Sequence, residues 1–321
     1  MSGIPFFDAA SIRAAVPIGE LLDAVEAAFR DVAHGRDRSP LRSHAALDAG
    51  DLLLMPGVRS GGAGATVKLV TVMPDNASRG LPTIHALVVW IDAASGAPLA
   101  LMDGATVTAM RTGAASGVAT RLLARPDAAT LAIIGAGGQA EWQLRAVLAA
   151  RPVTRVLVHA RSEEARVSFA EAMAASTGVE VEAVATAEAA VRRADIVCCA
   201  TTSSEPVFDA DWLQPGTHVN GIGAFRLSMV ELPPELFRRA SIVAVDSRVA
   251  TMAEAGDVVA AIERGLLAEA ELVELGTVER GWAVDRDPDA ITAFKSVGLA
   301  IQDVAAAELI AGRLLGPRGA G

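Results

Sequence analysis

The spacing of apolar residues divides the chain into two unlike parts. Leu21, Leu22, Val25, Ala28 and Phe29 fall at helical spacing with charges between them, which predicts a helix over residues 9–34. The period then shortens. DLLLMPGV and ATVKLVTVMP are short apolar runs cut by Gly, Pro and Asp, a pattern of antiparallel strands. LVVWID and PLALMD flank AASG as in a hairpin, and residues 105–124 predict a helix rich in small residues.

Beyond ARPDAAT the pattern changes. TLAIIGAG, RVLVHARS, VEVEAVA and DIVCCATT read as buried strands. The helical stretches GQAEWQLRAVLAA, EEARVSFAEAMAAST and AEAAVRRA lie between them. Such alternation specifies a doubly wound parallel sheet with helices on both faces. HVNGIGA and SIVAVDS add two strands. ITAFKSVGLAIQDVAAAELIAGRLL, at the end, predicts a long amphipathic helix preceded by a loop.

Composition narrows the function classes. A chain of 321 residues suits two domains. Its net charge of −10 offers no electrostatic footprint for nucleic acid or an anionic membrane. The two cysteines, Cys198 and Cys199, are adjacent, so in a strand they point to opposite faces and form no disulfide framework. No Cys/His cluster has metal spacing. The start of the chain lacks the basic and apolar regions of a signal peptide, and no apolar run approaches the ~20 residues of a membrane span. The expectation is a soluble cytoplasmic protein.

The sharpest motif is LAIIGAGGQAEWQ. Gly135, Gly137 and Ala140 fit G-x-G-x-x-A between a strand and a helix, the context in which the pattern signifies dinucleotide binding. The first glycine permits the turn, the second admits a pyrophosphate, and the third small residue lets helix and strand pack closely. The helix N-terminus contributes unpaired N–H groups. The second strand is followed by Arg161 and Ser162, where an NAD site usually carries an acid. A guanidinium and a hydroxyl suit a 2′-phosphate, which favours NADP(H) over NAD(H). Glu163 and Glu164 follow and could still reach a ribose.

Three cations stand among apolar or small neighbours: Arg42 in SPLRSH, Lys68 in ATVKLVTV and Arg111 in TAMRTGAASG. Together they could clamp a carboxylate, although each alone also reads as a surface cation. His44 and His85 read as structural or exposed.

GLPTIHALVVWIDAASGAPLALMDGATVTAMRTGAASGVATRLLA, LAIIGAGGQA, GTHVNGIGAF…EL and AFKSVGLAIQD, in that order, resemble the ornithine cyclodeaminase/mu-crystallin family. The resemblance covers nearly the whole chain. It implies a Rossmann domain (117–297) inserted into a discontinuous α+β substrate-binding and dimerising domain (1–116 with 298–321), with the site in the cleft of a homodimer's subunit. It implies that Arg42, Lys68 and Arg111 face a substrate carboxylate. The turn Gly135, Gly137, Gly138, Gln139 and Ala140 would hold the pyrophosphate, with Thr112 nearby. Thr201 and Thr202 would lie near the cofactor ribose, and Ser296 and Val297 near the nicotinamide.

Family members differ in chemistry: deaminating cyclisation of ornithine or lysine, alanine oxidation, ketimine reduction, and joining of amino-acid units. In the cyclodeaminases and alanine dehydrogenases an Asp follows the glycine pair of the strand; here that position is Phe225. Phenylalanine exchanges no proton, and Arg226 stays protonated, so a deaminating mechanism lacks its base. Reduction of a preformed cyclic imine needs less: a fixed carboxylate, a placed C=N carbon, and a proton from water or Lys68. Phe225 would then wall the pocket, its alternative being a core residue. The expectation is an NAD(P)H-dependent reductase of cyclic imino acids, with a cyclodeaminase or amino-acid dehydrogenase, or a non-catalytic cofactor-binding protein, as alternatives.

Overall fold

A computed structural model describes residues 3–282 and 287–316. The chain forms two compact units, one from residues 1–111 and 299–321 and one from 112–298.

The first unit is built on a six-stranded sheet. Its strands are β1 (Phe6–Phe7), β2 (Ser43–Leu47), β3 (Gly50–Val58), β4 (Gly64–Val72), β5 (Ile84–Asp92) and β6 (Pro98–Asp103), in the order β1-β6-β5-β4-β3-β2. Strands β2 to β6 pair antiparallel with their neighbours, and only β1 runs parallel, against β6. Strict alternation along β4 buries Thr66, Lys68, Val70 and Val72, while Leu69 opposite is exposed. The helices are α1 (Ala9–Ala15) and α2 (Ile18–Ala33), the first half of α3 (Gly104–Leu123), and α10 (Ala300–Leu314). Ala28 of α2 packs with Ile301 and Ala305 of α10. The helix expected over 9–34 is interrupted after Ala15, because Pro17 has no N–H to continue it.

The second unit holds an eight-stranded sheet. Its strands are β7 (Thr130–Ile134), β8 (Arg155–His159), β9 (Glu180–Ala183), β10 (Ile196–Cys199), β11 (His218–Gly221), β12 (Ala240–Val245), β13 (Leu272–Glu274) and β14 (Ile291–Lys295). The order is β13-β12-β14-β11-β10-β7-β8-β9, and every pairing is parallel. Helices α4 (Ala140–Ala150), α5 (Glu163–Thr177), α6 (Ala187–Val191), α7 (Pro234–Arg239), α8 (Arg248–Glu254) and α9 (Gly256–Glu263) connect the strands. Strand order reverses between β7 and β10, the place where open α/β sheets leave a crevice for ligands.

One sequence expectation fails here. ITAFK is not the start of the last helix but strand β14, buried along its whole length between β11 and β12. A strand covered on both faces shows a continuous apolar run that periodicity cannot distinguish from a buried helix. Gly298, with φ of +86°, ends the connection and α10 begins at Ala300.

Candidate active site

Alternation on β4 turns Lys68 into the core of the first unit rather than onto the open face, and it is only 1% exposed. Its Nζ meets both oxygens of Asp303, at 3.0 Å and 2.8 Å. Arg111, in α3, donates from Nε to the same Oδ1 at 3.0 Å and from Nη1 to Gln302 Oε1 at 2.9 Å. Asp303 and Gln302 are adjacent on α10 and fully buried. The Arg111 bond orients the Gln302 amide, and its Nε2 makes no hydrogen bond. With Lys68 protonated, two cations around one carboxylate leave one positive charge over, which matches a monoanionic ligand.

Burial drives the Lys68 ammonium down to about 7, and the charges of Arg111 and Arg42 act in the same direction. Asp303 opposes them. Arg42 precedes β2, is half-buried, and is close enough for Lys68 to feel its charge. Lys68 and Arg111 are thus brought together on Asp303, with Arg42 on the same unit. His44 and His85 are exposed.

In the second unit, the glycine-rich turn joins β7 to α4. Gly135 has φ of +107°, and a Cβ there would lie 2.6 Å from the Ala200 carbonyl oxygen, so the position demands glycine. Gly137 and Gly138 face open space, and Ala140 is fully buried. These are the properties a backbone cradle for a pyrophosphate requires, and the residues present fit a dinucleotide. Thr112 is buried, Thr201 half-buried and Thr202 exposed. Arg161 and Ser162 lie exposed beyond β8, and Ser162 caps α5 by accepting the Ala165 N–H at 3.2 Å.

Three buried acids organise the loops at the carboxyl ends of the strands. Asp246 Oδ2 accepts from Ser296 Oγ (2.8 Å), Val297 N–H (2.9 Å) and Gly298 N–H (2.8 Å). The hydroxyl hydrogen of Ser296 is therefore committed to Asp246. Glu231 accepts the backbone N–H of Thr201 through Oε1 and that of Gly223 through Oε2. Asp257 pairs with Lys295 at 3.1 Å, both fully buried. Burial pushes the Glu231 carboxyl up, against the Lys295 charge and the two N–H donors.

Phe225 stands in the loop after β11, half-buried, with the Arg226 guanidinium 5.2 Å from its ring centroid. It is neither a closed core residue nor a solvated one.

Sequence reasoning missed Asp303, Gln302, Glu231 and Asp246. One signal was available: Gln and Asp interrupt the apolar stripe of LAIQDVAAA, where a buried polar pair must have partners. The roles of Glu231 and Asp246 depend on loop closure and leave no mark in spacing. Among the described residues no group of His, Cys, Asp and Glu is placed to hold a metal ion, and no helix is long and apolar enough to cross a membrane.

The chain is similar to known proteins over nearly its whole length. A Delta(1)-pyrroline-2-carboxylate reductase of Bacillus cereus is 39% identical over 307 residues, covering 94% of each chain. The structure of Thermococcus litoralis Delta(1)-pyrroline-2-carboxylate reductase in complex with NADH and L-proline superposes with a TM-score of 0.91, at 35% identity over 97% of each chain. An archaeal alanine dehydrogenase dimer with bound NAD gives 0.87, at 31% identity over 98% of this chain and 97% of that one. The ornithine cyclodeaminase/mu-crystallin model matches residues 6–317. A Rossmann-like sheet with its glycine turn, a separate unit carrying the cations, and these matches along nearly the full length make the chain a member of the ornithine cyclodeaminase/mu-crystallin family.

Proposed function

We propose that the protein is an NAD(P)H-dependent reductase of cyclic imino acids, converting Δ1-pyrroline-2-carboxylate to L-proline and Δ1-piperideine-2-carboxylate to L-pipecolate. The observation that carries this reading is the buried Lys68–Asp303–Arg111 cluster. Its surplus positive charge suits one carboxylate. Arg111 and Arg42 hold that carboxylate, with the unbonded Gln302 Nε2 as a further donor.

The reduced nicotinamide supplies the hydride for the imine carbon, and the ring nitrogen takes one proton. Lys68 gives that proton. With its ammonium lowered to about 7, it exists in both protonation states near neutral pH, where a general acid is most effective. Phe225 contributes no base, which argues against deaminating chemistry. The relatives named for pyrroline-2-carboxylate reduction support the same substrate class.

Gly135, Gly137, Gly138, Gln139 and Ala140 bind the pyrophosphate. Thr112, Thr201, Thr202, Ser296 and Val297 line the rest of the cofactor site. Arg161 and Ser162 favour NADP(H) through the 2′-phosphate, although the Thermococcus relative was solved with NADH, so both cofactors are compared in the test. The exposed Leu54, Val58 and Leu69 on the first unit's sheet support a homodimer.

The test is product analysis. The protein with NADPH or NADH and each imine is expected to yield L-proline and L-pipecolate. Ammonia released from ornithine with NAD+, in the absence of imine reduction, would transfer the assignment to a cyclodeaminase.

A further inference from the structure

Strands β10 and β11 are parallel neighbours, and Cys199 at the end of one is level with Gly221 at the end of the other. Two residues beyond each stand Thr201 and Gly223. Both loops leave the sheet side by side, and both send a backbone N–H to the same carboxylate, Glu231. Glu231 is fully buried and is held in turn by its own carbonyl, which accepts the Val207 N–H at 3.0 Å. The approach is close enough that a Cβ on Gly223 would overlap the Thr201 carbonyl oxygen and touch Glu231 Oε1. One of these loops carries Thr201 and Thr202, the other Phe225.

We propose that Glu231 is a positioning residue that couples the two loops, so that cofactor binding at Thr201–Thr202 sets the geometry of the Phe225 loop before the imine enters. This rests on the reading above, in which the first loop meets the cofactor and the second the substrate. A carboxylate is suited to the role because each oxygen accepts one N–H, whereas an amide offers only one acceptor and presents donors to the other N–H. Lys295, itself paired with Asp257 at 3.1 Å, lowers the Glu231 carboxyl while burial and Asp257 raise it. A neutral isostere therefore releases one loop without emptying the space. The consequence is ordered binding, cofactor first, with ring-size preference dependent on an acid that touches neither substrate nor cofactor.

The experiment is hydrogen–deuterium exchange on full-length wild type, Glu231→Gln and Gly223→Ala, with and without NADPH, reading peptides over 200–206 and 222–228. In wild type, NADPH is expected to slow exchange in both segments. In Glu231→Gln, NADPH still protects the glycine turn, but protection of 222–228 is lost. The NADPH Kd is expected to rise about tenfold, as loss of a bond to a charged acceptor implies, and the preference between five- and six-membered imines narrows. Gly223→Ala, which parts the loops but keeps the acid, is expected to do the same. Wild-type protection of 222–228 by NADPH in two folded variants would overturn the coupling. The exchange readout needs no turnover, so an absence of imine reduction would reject the proposed function without touching this test.

Discussion

Lys68 and Asp303 carry the largest predicted effects at the scale of single residues. If Lys68 donates the proton, kcat/KM for the imine is level below about pH 7 and falls tenfold per pH unit above it. Asp303 is the influence that holds the ammonium up against burial, Arg111 and Arg42. Asp303→Asn therefore lowers the Lys68 pKa, and the alkaline limb moves to lower pH. A pH–rate profile of the two proteins checks the sign; a limb that moves up or stays in place contradicts it. The same change leaves two buried cations without their counter-ion and costs about 3–5 kcal/mol of stability. Lys68→Met removes the donor while keeping bulk and is expected to reduce kcat/KM by about 10²–10⁴. Phe225→Ala removes a half-buried ring. If the ring walls the imine, its loss is expected to raise imine KM about fivefold, corresponding to roughly 1 kcal/mol of apolar contact.

At the scale of elements, the cations were legible as suspicious residues and their partners were not. Lys68 between valine and leucine announces a strand, but which face it takes depends on pairing with β3 and β5, which spacing alone leaves open. Asp303 lies 235 positions from Lys68, and nothing local joins them. The glycine turn was fully legible because its chemistry is local: one tight φ, one open backbone, one small residue. β14 was misread because burial on both faces erases alternation. Packing of α10 on the first sheet makes a further prediction. A Cβ at Gly57 would lie 2.6 Å from Thr66 Oγ1 and Val304 Cγ2 and 2.8 Å from the Ala300 carbonyl. Gly57→Ala should cost about 1–3 kcal/mol and, by shifting the helix that carries Asp303, raise imine KM. Thermal melts and steady-state kinetics measure both; an unchanged Tm would show that α10 yields freely.

For the whole molecule, the fold class was the most legible property and the chemistry the least. Alternating strands and helices specify a doubly wound sheet almost by themselves, and the antiparallel sheet follows from short interrupted runs. In the proposed function, the preference between nicotinamide cofactors rests on two exposed residues, Arg161 and Ser162. NADPH at about one hundred times its Kd should add roughly 2.7 kcal/mol to stability and raise Tm accordingly. If Arg161 meets the 2′-phosphate, Arg161→Asp should weaken NADPH about tenfold or more while sparing NADH, since it exchanges a charge-assisted donor for a repelling carboxylate. Equal loss of both cofactors would refute a 2′-phosphate role.

The proposed function is reduction of a cyclic imino acid at the Lys68 cluster. Its most direct measurement is the rate of nicotinamide oxidation when purified protein, NADPH and Δ1-pyrroline-2-carboxylate are mixed, with Lys68→Met alongside. Rapid loss of the nicotinamide band with wild type, strongly reduced in the variant, is the predicted result. No loss in wild type with this imine or its six-membered homologue, or an equal rate in Lys68→Met, would contradict it.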